Sequence, residues 1–452
     1  MVEPRGDGPR PAQEAVSAAL DRAAAVAGLN AFITLDGGRA LDEAARHDAR
    51  GSRDRWCLVV KDNIHVAGLP NSAGTPALKG FVPDRDAPVV RTLRAAGAIV
   101  LGKTNMHELA LGATSYNHTF GAVGNAADPG LFAGGSSGGT AAAVAAGVVD
   151  AGLGTDTGGS VTIPAALGGI YGLRPTAGRY PSAGITPLSV TRDTPGLLAR
   201  ALERIAALDS LITGETGSAR DPGRPLRLGM PRHVFAEDLD DPVAAAWQEA
   251  VERLAADGAE WVPVDTAHLV EYDARVGVPL VFGEFAAAFT RYLDEHRAGL
   301  TLSDVLDAAA DPGIAGMLRE GALPTGSAYT GPDALRAALA ERRAMQAAFD
   351  DLLDGNGLDA VLGPAVPVVA RPLHRHEQTL PLNGREVPTF FTLIRNTSPA
   401  ATAGMPSVAV PLPVTAPSPP VGLQLTGRRG SDRALLSVAG RVDAVLRRGH
   451  TR

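Results

Sequence analysis

Cysteine, lysine and aromatic residues are scarce in this 452-residue chain, and the first two scarcities are informative. A single cysteine, Cys57, rules out an intrachain disulfide and any CxxC metal site. It lies in WCLVV, a buried-strand pattern, and reads as a small core residue. Long apolar runs are missing too. The best candidate, AAAVAAGVV at 141–149, ends at Asp150 and falls short of the ~20 residues of a membrane span. The opening text, MVEPRGDGPRPAQ, is polar and proline-rich without an apolar signal segment. A cytoplasmic protein with no membrane partner is therefore expected. Net charge is −7 with no block of like charges, so no nucleic-acid partner is expected either. The ten histidines include no HExxH, and His65, His107 and His118 are scattered. The closest pair, His374 and His376, flanks an arginine in RPLHRHEQ and reads as a solvated loop, so no metal is expected.

Lys+Arg totals 42, yet the only lysines are Lys61, Lys79 and Lys103. A buried lysine can lose its proton, whereas arginine effectively cannot. A chain that avoids lysine can keep one where that difference matters. Lys61 follows the apolar run CLVV, the pattern of a buried strand ending in a charge. Lys103 follows AIVLG in the same way, and Lys79 (ALKGF) reads as a solvated loop residue.

Hydrophobic content of 45% and charged content of 20% are ordinary for a globular protein. Residues 12–28 read as an amphipathic helix, NAFITLD as a strand and RALDEAARHDAR as a helix. WCLVVKDN, VVRTLRAAG and AIVLGKTN then alternate strand, helix, strand, which argues for an α/β layered core. Composition turns linker-like near 215–225, and residues 265–350 are mostly helical. The expectation is one α/β domain over 1–452, with a less regular helical section at about 225–350.

Two glycine- and serine-rich stretches stand apart. AGGSSGGTAAAVAAG (133–147) has three readings. A flexible linker would not lead straight into an Ala/Val helix. A phosphate loop would need a lysine after Gly139, where Thr140 stands, so no nucleotide cofactor is implied. A nucleophile elbow is satisfied by Gly134-Gly135-Ser136-Ser137-Gly138 but lacks a preceding strand. The second stretch, GTDTGGSVTIP (154–164), surrounds Ser160 with small residues. The helix and the GLGTDTGG loop between Ser136 and Ser160 can return the two serines to one place. With Lys61 at a strand end, the three side chains form a proton relay without histidine: neutral lysine, bridging serine, attacking serine.

These residues carry a resemblance to the amidase signature family. The matching text is VVKDNIHVAGLPNSAGT (59–75), GKTNMHE (102–108), AGGSSGGTAAAVAAG and GLGTDTGGSVTIPAALGGIYGLRPTAGRYP (152–181), with weaker matches through AGMPSVAVPLP and GLQLTG. It is densest over 57–200, and GRYPSAGITPLSVTRDTPGLLAR resembles the branch of indoleacetamide and mandelamide hydrolases. The resemblance implies a central twisted mixed β-sheet covered by helices on both faces. It implies Lys61 as general base, Ser136 as bridging serine after a cis Gly135–Ser136 bond, and Ser160 as acylated nucleophile. The N–H groups of Thr157, Gly158, Gly159 and Ser160 would form the oxyanion hole, glycine admitting a close approach. Asp156 and Asn105 are candidates to brace the loops through hydrogen bonds to backbone.

Many family members carry arginine two residues after the nucleophile; here that position is Thr162, followed by Ile163. Losing a cation there favours a neutral, hydrophobic substrate. Thr162 and Ile163 are the tentative substrate-side residues. The stretches 111–120, 265–345 and FFTLIRNTS (390–398) are candidate pocket walls. Four functions are weighed: an amidase for small aryl or arylalkyl amides, an aryl carbamate or ester hydrolase with the same triad, the amidase subunit of a tRNA-dependent amidotransferase, and an inactive binding protein. The first is preferred. It needs no cofactor, takes a small-molecule amide or carbamate, and allows a homo-oligomer.

Overall fold

The computed structural model describes residues 11–51, 55–217, 223–296, 298–375, 377–413 and 418–448. The proline-rich opening up to residue 10, part of the linker-like stretch near 220, and His376 lie outside them.

The strands are β1 (Phe32–Leu35), β2 (Trp56–Lys61), β3 (Ala98–Thr104), β4 (Ala151–Asp156), β5 (Tyr171–Arg174), β6 (Thr194–Ala199), β7 (Arg227–Pro231), β8 (Glu260–Val264), β9 (Ala360–Pro364), β10 (Thr379–Leu382), β11 (Arg385–Pro388), β12 (Ser407–Pro411) and β13 (Gly422–Thr426). β10 and β11 form a separate hairpin. The others build one eleven-stranded sheet in the order β1-β3-β2-β4-β6-β5-β12-β13-β9-β7-β8. The sheet is mixed: β2 runs parallel to β3 and β4, whereas β4–β6 and β5–β6 are antiparallel.

The helices are α1 (Ala12–Ala25), α2 (Gly37–Ala49), α3 (Pro88–Ala95), α4 (Gly138–Ala145), α5 (Thr162–Leu167), α6 (Leu202–Thr213), α7 (Asp241–Ala256), α8 (Ala267–Glu295), α9 (Leu302–Ala308), α10 (Pro312–Ala322), α11 (Gly331–Gly355), α12 (Thr389–Ile394), α13 (Ser398–Ala403) and α14 (Asp432–Arg447). Strand side chains alternate between faces, and the cores follow that alternation. Leu58, Val60 and Val100 join one cluster with residues of α3, α6, α7 and α14. Their neighbours Val59, Ile99 and Leu101 join a second cluster with residues of α1, α2 and α4. Both faces are thus covered by helices, as the resemblance implies.

The GLGTDTGG text, expected as a loop, is half strand: Ala151–Asp156 is β4, next to β2 in the sheet. Its glycines weaken the strand signal but answer to packing. A Cβ on Gly152 would lie 2.5 Å from Thr140 Cγ2, and one on Gly154 would lie 2.8 Å from Ser137 Oγ. The segment running into α4 presses onto β4 so closely that only glycine fits. α8 is long and apolar enough to cross a bilayer by length and composition, but half of that apolar window is buried inside the fold. There it packs against α10, α11 and α13.

Candidate active site

Lys61 ends β2 and Asp156 ends β4, and the loop after β4 carries Thr157–Ser160 into α5. Parallel neighbours end on the same edge of a sheet, so the two strand ends meet where α/β sites gather. The Lys61 side chain is fully buried. Its Nζ lies 2.7 Å from Ser136 Oγ, 2.9 Å from Thr155 Oγ1 and 3.4 Å from the Thr155 carbonyl. Among the described residues no carboxylate lies within ion-pair distance of this amine. Burial pushes its pKa down to about 7, partly offset by the more distant Asp156 and Asp193.

Ser136 follows a cis Gly135–Ser136 peptide. Its loop is locked by close approaches: a Cβ on Gly135 would lie 2.7 Å from the Ser115 nitrogen, and one on Gly139 would lie 2.4 Å from the Asn105 carbonyl. The Gly138 N–H donates to Ser115 Oγ at 3.0 Å and the Gly139 N–H to the Asn105 carbonyl at 3.0 Å. Asn105 is a hub: its amide donates to the Asn30 and Gly121 carbonyls and its oxygen accepts from Met106. His107 donates its backbone N–H to the Ser136 carbonyl at 3.2 Å. Burial lowers the His107 pKa to about 4, so the ring is neutral.

The two serine loops are stitched together. The Ser137 N–H donates to the Ser160 carbonyl at 3.2 Å, and the Ser137 hydroxyl to the Thr155 carbonyl at 3.1 Å. Ser160 is 8% exposed, against none for Ser136 and Lys61. Among the described residues no hydrogen bond yet joins the two serine hydroxyls. Catalytic hydrogen bonds commonly tighten only once substrate is bound.

The peptides of the Ser160 loop are held by their carbonyls. Arg174 donates to the Asp156 carbonyl at 2.7 Å, Arg192 to that of Thr157 at 3.0 Å, and Thr397 to that of Gly158 at 2.7 Å. The Gly159 carbonyl accepts from the Ile163 N–H at 2.7 Å. In a trans peptide the N–H points opposite the C=O. Pinning each carbonyl therefore aims the next N–H the other way. The Thr157, Gly158 and Ser160 amides meet no acceptor among the described residues. The Gly159 amide does: it donates to Asp156 Oδ1 at 2.9 Å. Of the four amides expected to face an oxyanion, Gly159 is thus bonded within the protein and the other three are unbonded among the described residues. Asp156 accepts as well from the Val161 N–H and from Arg174, with which it forms a buried ion pair at 2.7 Å. A Cβ on Gly159, where φ is +124°, would strike Thr397.

Thr162 and Ile163 are each about 1% exposed. Thr162 turns its hydroxyl back to the Gly159 carbonyl at 3.4 Å, and Ile163 packs with Ala113, Phe132 and Leu167. No cation stands at position 162, but one reaches the nucleophile loop from elsewhere in the chain. Arg192 reaches the loop from before β6, with Nη2 lying 3.4 Å from the position of a Cβ on Gly158. Each of its nitrogens already meets a protein acceptor: Nε donates to the Thr157 carbonyl, Nη1 to the Gly277 carbonyl and Nη2 to Ser398 Oγ. The three expected pocket walls all touch this machinery, through Ser115, Gly277 and Thr397–Ser398. Lys103 is occupied elsewhere, in a buried ion pair with Asp62 at 3.4 Å and on the Asn71 side chain. His118 meets Glu377 at 2.7 Å and Asp311 at 3.8 Å.

Sequence reasoning passed over Thr155, Arg174, Arg192 and Thr397. Thr155 stands inside the 152–181 match, but the text does not separate it from Thr157. The arginines are lost among many, and Thr397 sits far along the chain.

Comparison with known proteins identifies the family. The amidase family profile matches residues 14–436. The chain belongs to the amidase signature family. Among its relatives, an indoleacetamide hydrolase of Allorhizobium ampelinum is 37% identical over 444 residues, covering 97% of this chain and 95% of the relative. A mandelamide hydrolase of Pseudomonas putida is 38% identical over 459 residues, covering 97% and 89%. Among solved structures, one described as an amidase superposes with a TM-score of 0.84 at 34% identity, covering 97% of this chain and 96% of that one. The native peptide amidase of Stenotrophomonas maltophilia superposes at 0.81 with 30% identity, covering 97% and 94%. This family member is an amidohydrolase acting on amide C–N bonds.

Proposed function

We propose that the chain hydrolyses small, neutral, aryl or arylalkyl amides through a Ser160 acyl-enzyme, with Ser136 and Lys61 as the proton relay. The observation that carries this reading is the Lys61 amine, 2.7 Å from Ser136 Oγ in a site where burial lowers its pKa to about 7. Neutral Lys61 takes the Ser136 proton as Ser136 takes the Ser160 proton. Ser160 Oγ then bonds to the carbonyl carbon, and the oxyanion faces the Thr157, Gly158 and Ser160 amides. Lys61 returns its proton through Ser136 to the leaving nitrogen, and the C–N bond breaks. Water attacks the ester by the same relay, releasing the acid and free Ser160.

For the substrate class, support comes from the names of the relatives, both hydrolases of amides with an aromatic group. Each nitrogen of the Arg192 guanidinium already donates to a protein acceptor, which argues against its serving as a dedicated partner for a substrate carboxylate. A panel of aryl and arylalkyl amides, matched carboxylated amides, aryl esters and aryl carbamates tests the reading. The neutral amides should give the highest kcat/KM. Preference for the carboxylated set would overturn the substrate class. Preference for carbamates would move the chain to the second function weighed, with the same triad.

A further inference from the structure

We propose that Arg192 is a positioning residue for the reaction, holding the Thr157–Gly158 peptide so that the Gly158 N–H faces the developing oxyanion. The proposal rests on the reading of Ser160 as nucleophile and goes beyond it.

Each peptide of the loop is oriented by whatever grips its carbonyl. At 156–157 the grip is Arg174, itself paired with Asp156. At 158–159 both ends are held, the carbonyl by Thr397 and the N–H by Asp156. At 159–160 the carbonyl is taken up by the first turn of α5. At 157–158 the Thr157 carbonyl has one side-chain donor among the described residues, Arg192 Nε at 3.0 Å. Glycine at 158 adds no steric preference of its own, and its amide is one of the three left free. This peptide therefore depends on Arg192 as the 156–157 peptide depends on Arg174.

The guanidinium suits the task for two reasons. Its fork is planar, and its other two nitrogens are fixed on Gly277 of α8 and Ser398 of α13, so Nε cannot swing away. Its positive charge sits at the carbonyl end of the peptide, which draws electron density from the amide and strengthens the Gly158 N–H as a donor. Burial lowers its pKa, offset only in part by Asp273 and Asp193 nearby. Arg192 also joins the nucleophile loop to the helical section, so that section gains a direct hold on the oxyanion geometry.

The experiment compares Arg192→Lys and Arg192→Met with the unmodified enzyme on one neutral amide, beside an aldehyde analogue of its acyl part, which forms a tetrahedral adduct. Loss of an oxyanion donor lowers kcat by about 100- to 1000-fold, and a misaligned donor should give up to roughly 100-fold. The expected result for Arg192→Lys is a fall in kcat of about 10- to 100-fold with KM within about 2-fold. The aldehyde Ki should rise by the factor lost in kcat/KM, while inhibition by the product acid stays unchanged. Arg192→Met should lose more on the same pattern; if it fails to fold, the lysine variant still decides. Unchanged kcat and aldehyde Ki in Arg192→Lys would overturn the proposal. So would equal weakening of aldehyde and product acid, which marks general damage. Failure of the aldehyde to form an adduct at Ser160 in the unmodified enzyme would instead sink the nucleophile assignment.

Discussion

A lysine in water is a cation at neutral pH, and Lys61 is placed so that it need not be one. Burial disfavours the charge, and its close partners are hydroxyl groups and a carbonyl. If the neutral amine is the base, kcat/KM on a neutral amide should rise as pH passes about 7 and level off above it. A profile that falls through this range would contradict the assignment. Lys61→Met should lower kcat/KM by about 100- to 10,000-fold and remove that limb of the profile. Lys61 was legible at this scale because lysine is scarce, and the serines were legible because their loops are dense in glycine. The clamps on the 157–160 loop were not legible. A buried arginine is recognised by its acceptors, and those of Arg192 come from three distant parts of the chain. Thr162 was singled out because many family members carry arginine at that position; in the fold its hydroxyl turns back to the Gly159 carbonyl.

At the scale of elements, the site depends on the close approach of the Ser136–α4 segment to β4. Gly152 and Gly154 permit it. Gly152→Ala should destabilise the protein by about 1–3 kcal/mol, read as a lower urea midpoint at unchanged slope, because its Cβ meets Thr140 and Val59. Gly154→Ala displaces Ser137, which ties the loop to β4, so its loss should show in kcat as well as in stability. A stable and fully active Gly154→Ala protein would contradict this account of the packing. The same glycines hid β4 from sequence reasoning, since they lower strand propensity at positions that packing dictates. Strands with uninterrupted apolar text, β2 and β3, were read correctly. Asp156 is a second hinge of this scale, accepting two amides of its loop while paired with Arg174. Asp156→Asn removes one partner of a buried ion pair and should cost about 3–5 kcal/mol, measured by chemical denaturation.

For the whole molecule, the neutral lysine links function to stability. The folded Lys61 pKa of about 7 lies below the unfolded value of 10.5. Between those values the unfolded chain binds the extra proton, so stability rises with pH through that window. Below about pH 7 both states are protonated and the penalty on the folded state is constant and maximal. Lys61→Met should therefore be more stable than the unmodified protein near pH 6 despite its lost activity, with the gap narrowing toward pH 10. A gap that does not change with pH would contradict the lowered pKa. The alternation of strands and helices made the α/β class legible. The far half of the sheet was less so, because its antiparallel partners β5 with β12 and β9 with β13 meet across long intervals that no local pattern records.

The central claim is that Ser160 carries the acyl group. It is tested most directly by mass spectrometry of the enzyme after brief reaction with a fluorophosphonate or a slow aryl ester. The account predicts one adduct, on Ser160, absent from Ser160→Ala, which should also lose turnover. An adduct on any other residue, or near-normal amide hydrolysis by purified Ser160→Ala, would contradict it.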